Sequence, residues 1–328
     1  MAGITSVKNI CVKRDSKCET CFHNRVGLAI ATGLPPHQDL NLTFHGGKTL
    51  PSLTYKNFFV AGTNAWDPSD VQNINESLSA AMTDPGLNNV LAQYFAGNTV
   101  MTTVAPHELL SGSAPASVSQ SDVEGAVRSL FLRGKMQGLP LASTVFNFLL
   151  PSGTVLTIDD GPNALTSPHG HAKSHHRPEI PIETEESSLE GLGGFHGSVH
   201  VRRRGISTTI YYAVGVLSEP LANGGDNGIV VFDKPWKNAV ATFYHELCEA
   251  RTDPDVSDAI KTNDNRLLGW TNVNGEEIGD TPITVASPNL SKVFREVTLA
   301  SGKIAPIQLQ WSNFVNGPEG PIPAPHHA

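Results

Sequence analysis

The sequence predicts an α/β fold, with α+β as its alternative: a mixed sheet with flanking helices and one central helix. Three observations carry this expectation. Short runs rich in Val, Ile, Phe, Thr and Tyr alternate with segments whose apolar residues recur at helical spacing. The 328 residues are 39% hydrophobic and only 16% charged, a globular composition long enough for a sizeable core in one large domain or two closely packed ones. One late helical segment, "NAVATFYHELCEA", has apolar flanks yet carries a histidine and two glutamates.

The elements follow in order. Residues 1–42 read as an N-terminal arm and residues 43–328 as a single domain; "GLPPH" and "FHGGK" mark turns in the irregular first fifty residues. "YKNFFVAG" (55–62) reads as a buried strand. "DPSDVQNINESLSAAM" (67–82) opens on Asp and Pro and repeats Val71, Ile74, Leu78 and Met82 at helical spacing, and "PGLNNVLAQYF" continues in that style. "NTVMTTVAP" is a second strand. "SDVEGAVRSLFLRGKM" (121–136) is a helix started by the capping pattern Ser121-x-x-Glu124. "ASTVFNFLLP" and "GTVLTI" are the third and fourth strands.

The composition changes at about 160–192, a polar loop with His169, His171, His175 and His176. A loop of that length is usually functional or disordered, and its histidines offer opportunistic metal binding rather than rigid coordination. Strands resume with "GGFHGSVHV" (193–201) and "ISTTIYYAVGVL" (206–217). "IVVFDKP" reads as another short strand, followed by a helix over 237–251 and a loop-rich tail.

Charge and hydropathy exclude several classes. The formal net charge is −8, and the one basic cluster, Arg202–Gly205, is short, so no nucleic-acid partner is expected. No run approaches the roughly 20 apolar residues that span a bilayer, so no membrane segment is expected. The first residues lack the apolar core of a signal peptide, which predicts a cytoplasmic protein; a secreted one trimmed of its leader would read the same. Cys11, Cys18 and Cys21 form C-x6-C-x2-C, a zinc ligand set if His23 joins it, or reduced thiols in a loose arm. Cys248 reads as a small inert residue on the buried side of its helix.

The chemistry-bearing stretch is "ATFYHELCEARTDP" (241–254). Residues four apart on a helix share a face, so His245 and Glu249 point the same way, and Glu246 lies about 100° round the axis. That is the layout of a zinc hydrolase helix, with Glu249 where a second imidazole is usual. A carboxylate in that position makes the bound water less acidic or favours harder ions. A catalytic zinc needs a third protein ligand. Asp253 is one source, although Pro254 disfavours helical geometry there. The loop "NGEEIGD" (274–280) is the favoured one, through Glu277 and Asp280, one as ligand and the other as its orienting partner. The alternative reading is a surface helix on which His245 and Glu249 simply pair. His196, between glycines in "GGFHG", reads as an exposed residue able to stabilise an oxyanion, as could Tyr211 or Tyr212; the alternative is a turn histidine and two core tyrosines.

"ATFYHELCEARTDP" followed by "GWTNVNGEEIGD" resembles the pattern of bacterial relatives of the plant EXORDIUM / phosphate-induced protein 1 group. "FHGGK" and "GGFHGSV" are similar too. The resemblance implies a zincin-like active-site arrangement and a metal-dependent hydrolase, and it carries over His245, Glu246, Glu249, Glu277 and Asp280. The chain departs from the pattern after Asp280, where "TPITV" replaces a segment that often contains a cysteine. The expectation is therefore a Zn2+-dependent metallopeptidase acting on a peptide or protein substrate. Glu246 is its general base, and a strand such as 206–217 receives an extended peptide by β-addition. A non-enzymatic binding or signalling protein with a structural metal site, and a metal-free structural protein, are its two rivals.

Overall fold

A computed structural model describes residues 30–96, 99–158 and 187–326. The cysteine cluster of the arm, His23 and the histidines of the 160–192 loop lie outside the described residues.

A mixed six-stranded sheet organises the chain. Its strands are β1 (Ser52–Phe59), β2 (Met101–Val104), β3 (Glu108–Leu109), β4 (Thr144–Leu150), β5 (Gly194–Arg203) and β6 (Ile206–Val216). The order is β2-β1-β4-β6-β5, with β3 continuing the outer edge along β1. All neighbours run parallel except β5, which returns antiparallel along β6. The central strand β4 is buried at every position, as expected of a strand covered on both faces.

Helices cover both faces of the sheet. The helices are α1 (Pro68–Met82), α2 (Pro85–Leu91), α3 (Gln120–Leu132), α4 (Pro235–Thr252), α5 (Val256–Thr262) and α6 (Asp280–Ala286). The strand alternation sorts their partners. Leu53, Tyr55, Val145, Leu149, Tyr211 and Ala213 face the core shared with α1 and α4. Phe58, Phe146, Phe148, Tyr212 and Val214 face the core shared with α3. A hairpin of β7 (Phe294–Thr298) and β8 (Ile304–Gln308) then packs on α4 from the far side. Residues 30–42 join the same core through Ala31, Leu34 and Leu42.

The central helix α4 is buried at every position from Asn238 to Thr252. A helix enclosed on all sides must satisfy each polar side chain internally. Arg251 does so at its two terminal nitrogens: Nη1 donates to Leu50 O (3.3 Å), Pro51 O (2.7 Å) and Met101 O (3.0 Å), and Nη2 to Thr102 Oγ1 (2.7 Å). Cys248 is fully buried, and burial pushes its thiol up to about 12, in keeping with an inert packing role.

Two glycines let α4 lie close on the sheet. A Cβ at Gly194 would stand 3.0 Å from Thr242 Cγ2, and one at Gly215 would stand 3.1 Å from the Phe243 ring. This close approach carries the acids of α4 to the His196 side chain of β5.

Several sequence expectations are corrected. "IVVFDKP" is not a strand, because the Val231 and Phe232 N–H groups donate to Asn238 Oδ1 (3.0 and 2.8 Å) rather than to a neighbouring strand. The capping box of α3 is Ser119 with Asp122, not Ser121 with Glu124; Glu124 instead pairs with Arg128 and Lys261. The tail after α4 is richer in structure than its loop-like sequence suggests, since α5, α6 and the β7–β8 hairpin all fall within it. Strand β6 pairs with β5 along 206–215 and with β4 from Tyr211 to Val216, so only its first residues lack a strand partner on the β4 side; the edge strand beside it is β5. No helix among the described residues is long and apolar enough to cross a membrane.

Candidate metal centre

Helix α4 supplies the floor of the site. One helical turn brings His245 Nε2 to 3.0 Å from Glu249 Oε2, as the four-residue spacing requires. Glu246 lies at the rim of this face, its Oε1 3.9 Å from His245 Nε2. Helix geometry alone sets these relationships.

The loop before α6 supplies the second wall, and an asparagine shapes it. Asn272 Oδ1 accepts from the Asn274 and Glu276 N–H groups (2.8 and 3.0 Å), and its amide donates to Glu276 Oε2 (2.6 Å). Glu276 is spent on this scaffold, its Oε1 also accepting from Thr284 (2.8 Å). Ile278 anchors the loop in the core. Glu277 and Asp280 are left to face α4, and the Gly279 N–H donates to Glu249 Oε1 (3.2 Å). Gly279 is there for room: a Cβ would fall 2.4 Å from His245 Nδ1 and 2.9 Å from Glu249 Oε1.

Asp280 Oδ1 stands 3.7 Å from His245 Nε2. A tetrahedral ion with bonds of about 2.0–2.1 Å puts its ligand atoms roughly 3.4 Å apart, so His245, Glu249 and Asp280 are spaced as a ligand set. The tautomer also fits. Gln308, at the end of β8, donates its amide to the Gly279 carbonyl, which leaves its Oε1 to accept from His245 Nδ1–H (2.6 Å). With Nδ1 held by Gln308, His245 Nε2 is the ring nitrogen turned to the two acids, the arrangement that second-shell partners impose on metal-binding imidazoles. The Asp280 side chain is 47% exposed, against 10% for His245 and 4% for Glu249, so this position opens to solvent on the Asp280 side.

Behind it lies His196, buried rather than exposed as its flanking glycines suggest. The glycine at 197 lets α5 close over the strand, since a Cβ there would meet Ser257 Oγ at 2.7 Å. His196 Nδ1 is 3.4 Å from Glu246 Oε2 and 3.7 Å from Glu249 Oε2. Its Nε2 is 3.1 Å from the Asp253 carbonyl and 3.7 Å from Glu277 Oε1. Asp253, with φ −148° and ψ 66°, has left the helix before Pro254. Its carboxylate turns to the Gly269 N–H (2.9 Å), away from His245. The third-ligand question thus divides: Asp280 stands with His245, and Glu277 with His196.

The tyrosines are elsewhere. Tyr211 accepts from Lys48 Nζ (2.9 Å) and pairs with Asp255, so its hydroxyl is engaged outside the cluster. Tyr212 points to the opposite face of the sheet, edge-on to Phe195. An oxyanion role for either has no contact to rest on: strand alternation turns Tyr212 to the other face, while Tyr211, on the α4 face, has its hydroxyl held by Lys48 and Asp255.

The electrostatics are those of a site short of positive charge. Burial, then the charges on Glu249 and Asp253, hold the Glu277 carboxyl well above its ordinary range. Burial raises Asp253 to about 7; Asp280, half-exposed, is raised by desolvation on the side that packs against α4 and by the Glu249 charge. Burial works against protonation of both imidazoles, yet the neighbouring carboxylates win, lifting His245 well above its usual value and His196 to about 9. Against its own burial, the imidazole of His245 pulls Glu249 below the ordinary range. Among the described residues, no lysine or arginine pairs with Glu246, Glu249, Asp253, Glu277 or Asp280. Buried Asp253 Oδ2 and Glu277 Oε1 have no hydrogen-bond partner, and Glu246 Oε2 has only the His196 ring, at 3.4 Å. Orphaned carboxylate oxygens at this depth are costly, and a cation is what would satisfy them.

Comparison with protein-family models, curated proteins and solved structures yields no match, so these contacts are the basis for a functional reading. Sequence reasoning found His245, Glu246, Glu249, Glu277 and Asp280. It gave His196 another role and missed Gln308, which lies 63 residues from its partner and has no motif around it.

Proposed function

We propose that the chain is a metal-dependent hydrolase with a zincin-like centre, acting on peptide bonds with Zn2+ as the first candidate ion. The observation that carries the reading is the solvent-facing group of His245 Nε2, Glu249 Oε2 and Asp280 Oδ1, with the His245 tautomer fixed by Gln308. A nitrogen and two carboxylate oxygens suit zinc and leave a coordination position for water or substrate. A bound ion there supplies Lewis acidity to the scissile carbonyl and lowers the pKa of a water.

The side chains supply the rest. Glu246 borders His245 at 3.9 Å and is buried, which raises its carboxyl above the ordinary range against the pull of His196. A carboxylate so tuned takes a proton from the attacking water and returns it to the leaving amine. His196, 3.4 Å from Glu246 Oε2, orients that carboxylate. The Asp280 side of the site is the route by which substrate and water arrive.

Two measurements test this reading. Protein purified without added metal should contain a divalent cation, and it should cleave unstructured peptides in a chelator-sensitive way. Glu246→Gln should keep the metal and lose cleavage by about 10²–10⁴-fold. A chain that binds no divalent cation at all, or a Glu246→Gln variant as active as the parent, would end it.

A further inference from the structure

We infer that the tip of the β5–β6 hairpin docks on an anionic lipid surface, with phosphate headgroups as its ligand; the inference is independent of the metal centre. Strand β6 pairs with β5 from Ile206 onward, but with β4 only from Tyr211. The hairpin therefore runs on beyond the sheet as a two-stranded arm. Helices hold its base: Val201 and Ile210 lie in the core shared with α3, and His200 Nε2 is 2.8 Å from Asp258 Oδ2 on α5. From Arg202 to Ser207 every residue is exposed.

That exposed end carries Arg202, Arg203, Arg204, Gly205 and Ile206. None of the three arginines forms an ion pair among the described residues. Ile206, the cross-strand partner of Arg203, is 70% exposed. Arg204 and Gly205 both have positive φ, 51° and 83°. A two-residue hairpin turn of this kind favours Asn, Asp or Gly at its first position, and a long side chain seldom adopts that conformation. Local stability alone would place asparagine at 204. An arginine kept there against its backbone preference is a second sign that the charge of the tip is used.

Geometry chooses among anionic partners. Side chains alternate along a strand, so Arg202 and Arg203 leave on opposite faces, with Arg204 at the end. No single carboxylate or phosphate on a rigid partner reaches all three. A layer of lipid headgroups surrounds the tip and meets guanidinium groups on both faces at once. Arginine suits it, because its planar fork pairs bidentately with phosphate oxygens. Ile206 adds an apolar contact, and the exposed end spans about 10 Å, the depth to which interfacial elements enter the headgroup region. The chain's net charge of −8 works against contact elsewhere, so the tip enters first. Three basic residues at an anionic surface are together worth on the order of 10²-fold in partition.

The test is sedimentation of the full chain with vesicles of phosphatidylcholine alone and of an equimolar mixture with phosphatidylserine. The parent should bind the mixed vesicles, ignore the neutral ones and be released by salt. Arg202→Gln, Arg203→Gln and Arg204→Asn combined should lower binding about 10²-fold. Arg204→Asn alone should lower it about fivefold without lowering Tm, since asparagine fits the turn. Equal binding to both vesicles, binding to neither, or binding undiminished in the combined variant overturns the inference. So does capture by polyglutamate in place of vesicles, which would make the tip a site for an acidic protein. Circular dichroism checks the fold of each variant; should the combined one fail, Arg204→Asn decides, and unchanged vesicle binding by it overturns the inference.

Discussion

Gln308 accepts from His245 Nδ1 at 2.6 Å while its own amide is held by the Gly279 carbonyl, so one buried glutamine fixes the tautomer of the histidine whose other nitrogen faces the acids. The same residue ties the β7–β8 hairpin to α4 and to the loop bearing Asp280. Gln308→Met keeps the volume and removes both hydrogen bonds. Metal affinity should fall about 10–100-fold, as for other outer-shell partners of ligating histidines. Leaving His245 N–H and Gly279 C=O unpaired should also cost about 1–3 kcal/mol of stability. Competition against a chromophoric chelator reads the first effect and urea denaturation the second. An unchanged affinity would mean that the glutamine is only a packing residue.

Gly279 tests how tightly the loop must close. Its φ of −91° is open to any residue, so Gly279→Ala adds a steric demand and no backbone strain. The new methyl would lie 2.4 Å from His245 Nδ1, on a buried histidine already held by Gln308 and Glu249. Overpacking of this kind costs about 1–3 kcal/mol. The sharper expectation is that the variant loses most of the stabilisation the parent gains from added metal, because the loop acids move away from α4. Thermal unfolding with and without metal measures both quantities. If metal raises the melting temperature as much as in the parent, the loop does not close on the ion.

How much of this was legible follows from the range of each interaction. His245 and Glu249 meet because a helix repeats every 3.6 residues, a local rule that sequence carries. The apolar runs that became β1, β4 and β6 were equally plain, because strands buried on both faces leave continuous hydrophobic stretches. "IVVFDKP" shows the limit: its residues suit a strand, but an asparagine seven residues beyond Val231 takes its backbone donors. His196 was conspicuous, yet its partners depend on how closely α4 approaches β5, which Gly194 and Gly215 set from different strands. Gln308 had no local signal, since its role exists only once β8 has packed on α4.

Arg251 bears on the fold and makes no contact with the acids of the candidate site. Its guanidinium is wholly buried and holds three carbonyls and a threonine at the start of β2. Burial lowers its pKa to about 10, so it remains charged at neutral pH without a carboxylate partner. Arg251→Met should destabilise the chain by about 3–5 kcal/mol, since charge-assisted bonds are each worth about 1.5–3 kcal/mol and the carbonyls would be left buried. The loss should be the same in chelator and in metal. Denaturation midpoints under both conditions check this, and a strongly metal-dependent loss would mean that Arg251 supports the ion site directly.

Protons stand in for cations in the metal-free protein, and the pH dependence should reveal it. Asp253 and Asp280 are raised to about 7 in the folded chain from an ordinary 3.8, and His196 to about 9 from 6.5. Each binds its proton more tightly when folded. Their contribution to stability is therefore full below the unfolded values and is lost as pH rises through the folded ones. Metal-free protein should lose stability between about pH 4 and 7 as the aspartates ionise, and again toward pH 9 as His196 does. Glu249, held below its ordinary value, works the other way only at the acid end of this range. Metal binding must expel the protons of its own ligands, His245 and Asp280, so affinity should climb with pH over the interval in which metal-free stability declines. Proton release on adding Zn2+ to weakly buffered protein at pH 7 gives a direct readout. A binding event with no proton release, or an affinity flat from pH 6 to 9, would place the ion away from this cluster.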